Sequence, residues 1–299
     1  MKLRSKLFYS YLLFIAIYGG FIILPKPSRA TISQFHLTAL GLRLIDFTII
    51  LFLAAIWFAG YYGYAKFQEY SNAIRGNKDG EQIAKLTRGV FFLVIWLPVS
   101  STLSAALVYL ATKTPGLLPA VTIINHYINL LFPFVGFVYI GMGARGLSEM
   151  VKVRTSYRAA NIITIVTIYI GAIYFRLVAS TQHRASVYHM SIWLILTTLV
   201  VPYIYMWSVG LLAAYEIYIY RQKVTGIVYK KSWGLLSLGI CWLIVTSIFF
   251  QYLSSLTARL SHLSIYWLLV VIYLLLLVLS LGFVFIALGT RKLQKIEEV

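Results

Sequence analysis

Three polar residues inside an apolar run carry the strongest chemical signal in this chain: Asn125, His126 and Asn129. Asn125 and Asn129 are four apart, and His126 and Asn129 three apart, so on a helix they share one face. Counted from an outer boundary near Leu117, they lie roughly 12–18 Å deep at about 1.5 Å per residue, close to a bilayer midplane. Amides and an imidazole at that depth need partners from other helices or from a water-filled cavity. The group reads either as polar glue between helices or as a site for a ligand, an ion or a proton.

Other ionisable candidates are sparse. The acids are Asp46, Glu69, Asp79, Glu81, Glu149, Glu216, Glu297 and Glu298, too few and too scattered for chemistry that needs clustered carboxylates. Asp46, at the outer start of an apolar run, is placed to pair with Arg43 or cap its helix. Arg176, near an outer end, is long enough to snorkel, and Glu216, near an inner end between Tyr215 and Tyr218, is expected to reach water. The single Cys241 excludes an intrachain disulfide and a cysteine metal site. His36, His183, His189 and His262 fall in loops or outer helix ends without HxxxH spacing, so no metal is expected. HExxH, GxSxG, GxGD and aspartate-rich transferase motifs are absent, and the last apolar run has no lysine for a Schiff base. No cofactor is expected, and these absences speak against an enzyme.

The elements that must position these residues follow from composition. The 299 residues are 61% hydrophobic and only 11% charged, with a mean hydropathy of +0.84, whereas globular domains carry roughly 25% charged residues. Apolar runs fall at about 8–24, 45–64, 90–112, 117–142, 159–179, 188–218, 233–253 and 265–289, most long enough to cross a hydrocarbon core of about 30 Å as helices. The expected fold is all-α, a polytopic transmembrane bundle of about eight spanning helices in one integral membrane domain. Lys2, Arg4 and Lys6 ahead of the first run, with Ser28-Arg29-Ala30 after it, also fit a cleaved signal that would leave seven. The run of about 17 residues exceeds the 7–15 of a signal core, which favours an uncleaved helix. Pro98, Pro133 and Pro202 are expected to kink or tilt the third, fourth and sixth runs.

A formal charge of +18 would suggest nucleic acid in a soluble protein. Here the cations lie between apolar runs, so the expected partners are the lipid bilayer and its anionic headgroups, and no nucleic acid. With the N-terminus inside, only Lys26, Arg29, Arg43, Lys113, Arg176, Arg184 and Arg259 fall outside. The Lys and Arg bias therefore predicts an inner-membrane protein with both termini cytoplasmic. Tyr61, Tyr62, Tyr64, Tyr215, Tyr218, Tyr220, Tyr229 and Trp233 then mark the inner headgroup level.

The longest inner connection, 65–89, is helical on both sides of a turn from Gly76 to Gly80 and predicts a hairpin projecting into the cytoplasm. Its Lys66, Arg75, Lys85 and Arg88, with Lys230 and Lys231 elsewhere, form a candidate cytoplasmic surface for lipid or a protein partner. The short tail, residues 290–299, follows the last span. The run from Gly289 to Val299, basic and then acidic, resembles the short exit helix that follows membrane-sensor domains of bacterial signalling proteins, and that resemblance implies a sensory role. The expected function is a non-enzymatic sensor or scaffold in a membrane assembly. The alternative is a small transporter or channel with its polar site around His126.

Overall fold

Residues 39–73 contain no proline, and their three glycines are outnumbered by long apolar side chains, so nothing interrupts helix propagation. They form one helix, α1 (Ala39–Ala73). In the computed structural model, which describes residues 39–77, 79–114, 118–152, 156–182, 196–257 and 280–293 together with isolated helical positions between 8 and 20 and at 277–278, every regular element is helical. Some side chains inside these helices fall outside the described set, among them Asp46, Asn125, His126 and Asn129.

After α1 come α2 (Gly80–Lys113), α3 (Leu118–Met150), α4 (Tyr157–Gln182), a π-type turn (Leu196–Val200), α5 (Val201–Lys223), α6 (Ile227–Thr257) and a last helix, α7, over 280–293. The 35 residues of α1 extend about 52 Å and the 33 of α3 about 50 Å, well beyond a hydrocarbon core of about 30 Å. The protein is an all-α bundle in which, among the described residues, five stretches are long and apolar enough to cross a membrane: Ile50–Ala73, Gly80–Ser100, Leu130–Met150, Tyr157–Arg176 and Ile227–Phe249. They correspond to the second, third, fourth, fifth and seventh apolar runs. The first and eighth runs lie largely outside the described residues, as do the two ends of the chain.

Pro98 and Pro133 sit inside continuous helices. Pro202 behaves differently, because the helix is irregular there: the wider π-type turn at Leu196–Val200 runs directly into it. A proline has no N–H to donate to the carbonyl four residues back, and a local change of helical pitch accommodates the loss.

The helices pack as a ring. α1 lies on α2, α2 on α3, α3 on α5 and α5 on α6. α7 then joins α6, with Gly239 against Gly282, to α1, with Gly63 against Phe283 and Ala287. α4 stands outside the ring against α5 and α6, and its sequence is accordingly exposed, with Ile165 at 65% and Tyr169 at 69%. Trp57, Phe67, Leu86, Phe137, Trp207, Trp233 and Phe283 fill the interior. Glycines set the closest approaches, since a Cβ at Gly89 or Gly136 would meet the facing helix backbone, the small-residue contact that lets membrane helices approach closely.

Candidate functional site at the basic end of the bundle

The link between α1 and α2 is a tight turn. Asn77 donates its backbone N–H to the Ile74 carbonyl at 3.0 Å, and Gly80 donates to the Asn77 carbonyl at 2.9 Å. Gly76 adopts φ +118°, a backbone region that disfavours a side chain. Asp79 occupies the N-cap position of α2, yet its side chain makes no cap bond. Its carboxylate instead accepts a hydrogen bond from the Tyr220 hydroxyl at 3.4 Å, which ties the turn to the far end of α5. Tyr220 is itself buried, with its ring 5.0 Å from Trp233 and edge-on to it. Burial first, and then the charge and hydrogen bond of Asp79, push the Tyr220 phenol above its ordinary range.

Two turns into α2, Gln82 and Leu86 occupy the space that side chains at Gly143 and Gly146 of α3 would need. The hairpin is therefore docked on α3 through α2 and tied to α5 at its turn. Ser232 and Leu236 of α6 meet Gly289 of α7, and Arg221 covers Gly234. These contacts gather the ends of α1, α3, α5 and α7 and the starts of α2, α4 and α6 at one end of the molecule.

Every described basic side chain except Arg176 lies at this end. Three cations are paired within their own helices at 2.9 Å: Lys66 with Glu69, Lys85 with Glu81, and Arg145 with Glu149. Exposed pairs of this kind contribute at most about 1 kcal/mol. Among the described residues no carboxylate lies within ion-pair distance of Arg75, Arg88, Lys230, Lys231, Arg291 or Lys292, all of them exposed. Arg221 lies over the Tyr218 ring at 5.6 Å. The result is a face of excess positive charge on rigid helix ends.

Glu216 differs from the sequence expectation. It is only 9% exposed, on the inward row of α5 with Ala213, Ile217 and Tyr220, and within electrostatic reach of Arg145. α5 packs against both α3 and α6, so an inner helix end is not a solvent-facing one. The tyrosine group divides for the same reason: Tyr62 and Tyr218 remain exposed, whereas Tyr64, Tyr220 and Trp233 are core residues rather than headgroup anchors. Asp79 and Gln82 are not singled out by sequence, and Tyr220 reads there only as a headgroup-level aromatic. In the sequence Asp79 is only one residue of the turn from Gly76 to Gly80, and nothing local in the chain announces a partner 141 positions away.

The backbone of α3 passes through Asn125, His126 and Asn129 in regular helix, and their side chains lie outside the described set, as does that of Asp46. By helical register, position 126 continues the row of Leu130, Pro133, Phe137, Ile140 and Ala144, all of them buried. Farther along the ring axis, Trp96, Pro133, Phe137, Leu243, Ser247 and Phe283 enclose a cavity of about 10 Å³, no more than one water requires. Arg176 is exposed near the end of α4. Among the described residues, no three of His, Cys, Asp and Glu come together as a metal site would need. No protein-family model, curated protein or solved structure matches this chain.

Proposed function

We propose that this is a non-enzymatic integral protein of the inner membrane, with both termini in the cytoplasm, that serves a membrane assembly as a scaffold or sensor through its basic end. The observation that carries this reading is the concentration of cations with no carboxylate partner among the described residues, Arg75, Arg88, Lys230, Lys231, Arg291 and Lys292, held on packed helix ends. Cytoplasmic loops of membrane proteins carry such an excess, and each cation near an anionic leaflet adds about 1 kcal/mol of attraction. Lipid alone is satisfied by a diffuse charge. The docked hairpin, closed by the Asp79–Tyr220 bond, supplies a fixed geometry of the kind an acidic protein surface reads.

A photoreactive amino acid at position 75 or 230 in cells is expected to yield a defined protein adduct. Reversing the three of Arg75, Arg88, Lys230 and Lys231 that do not carry the probe to Glu is expected to abolish it while the protein remains in the membrane. Adducts to lipid only, or adducts unchanged by the reversal, would refute the scaffold.

The register of position 126 favours one other reading, a proton or ion site in α3. His126→Ala is then expected to abolish dye-reported proton flux in proteoliposomes, and an unchanged flux would exclude it.

A further inference from the structure

α3 and α5 run side by side in the same direction, and their separation changes along their length. Toward the basic end they are close: a side chain at Gly141 would collide with Val209, and one at Gly210 would press on Phe137. Toward the other end the glycines give way to bulk, Phe134 and Tyr205 stack at 5.5 Å, and α5 begins at the π-type turn and Pro202. The two helices part there around a lateral groove of about 730 Å³, walled by Ile124, Leu131, Phe134, Val201, Pro202 and Tyr205 among others. Leu131 is 59% and Tyr205 52% exposed along it.

We propose that this groove is a binding site for one acyl chain of a membrane phospholipid, held there in preference to the lipid that surrounds the bundle. The proposal rests on the membrane reading of the five apolar stretches, because the groove opens on the apolar flank of α3 beside the span Leu130–Met150. Its described walls are aliphatic and aromatic, which suits a hydrocarbon occupant. A second transmembrane helix fits poorly. Two turns of a helix about 10 Å across occupy about 850 Å³, more than the groove holds, and among its described lining residues none is the Gly, Ala or Ser that brings helix backbones together in lipid. A flexible chain needs no such approach. Pro202, at the π-type turn, is itself one of the residues that wall the groove.

The experiment is photolabelling of the full chain, reconstituted in phosphatidylethanolamine and phosphatidylglycerol vesicles doped with a phospholipid bearing a diazirine on its acyl chain. The internal reference is the exposed face of α4 at Ile165 and Tyr169, which presents more open surface than the groove. Labelling at Leu131, Val201 and Tyr205 is expected to exceed that at α4 by about fivefold, the ratio that roughly 1 kcal/mol of preference produces. Val201→Trp, which fills the groove, is expected to bring the ratio to unity. Leu131→Phe provides a milder filling and is expected to lower it. Equal labelling of groove and α4, or an excess that survives both substitutions, would overturn the site and leave the membrane reading intact. Absence of label from both surfaces would overturn the site and the membrane reading together.

Discussion

At the scale of single residues, the contact between Tyr220 and Asp79 joins the turn of the hairpin to α5, and its chemistry is testable. Tyr220→Phe keeps the ring against Trp233 and removes only the hydroxyl. It is expected to cost about 0.5–1.5 kcal/mol, the net worth of one intramolecular hydrogen bond, read as a lowered unfolding midpoint in detergent. The same pair sets a pH dependence. Burial, followed by the neighbouring carboxylate, holds the folded-state phenol above its usual 10.0, so folding favours the neutral form. That contribution is complete below pH 10 and is lost as the pH rises from there through the folded value. Wild type is therefore expected to lose stability above about pH 10 more steeply than Tyr220→Phe, and parallel curves would show that the phenol is not held in this way.

At the scale of elements, the bundle depends on glycines that let α2 and α3 touch. Gly143 faces Gln82 and Leu86 with no room for a larger group. Gly143→Val is expected to push the helices apart and cost about 1–3 kcal/mol, the usual penalty for an overpacked contact. Gly76 is open on all sides but holds φ +118°, so Gly76→Ala tests the turn alone. It is expected to destabilise by about 1 kcal/mol or more through backbone strain, with no change in helix packing measured by cross-linking. A larger loss for Gly76→Ala than for Gly143→Val would mean that the turn, rather than the α2–α3 contact, organises the hairpin.

At the scale of the whole molecule, the segregation of charge predicts sidedness. In a Cys241→Ala background, single cysteines placed at Arg75 and at Arg176 sit at opposite ends of the bundle. An impermeant maleimide added to intact cells is expected to label position 176 and to reach position 75 only after lysis. Label at 75 in intact cells would invert the proposed orientation. Inside the ring, Trp96, Phe137 and their neighbours enclose only about 10 Å³, no more than one water requires.

The sequence by itself determined the class of the molecule. Runs of apolar residues with sparse charges leave the helix as the way to satisfy the backbone in lipid, and Gly76 to Gly80 between two helical registers could only be a turn. Those properties are local, set by composition and by the conformations open to each residue. What the tertiary structure decided was which face of each helix is inside. Glu216, Tyr220 and Trp233 read as interfacial because they stand near a helix end, and they are buried because α5 is packed between α3 and α6. The Asp79 carboxylate reads as an ordinary turn residue and bonds a hydroxyl on another helix. In a chain this apolar, helical periodicity hardly separates lipid-facing from protein-facing rows, since both are hydrophobic. Burial, the ring closed by α7 and the groove beside Pro202 therefore exist only once the helices have chosen their neighbours.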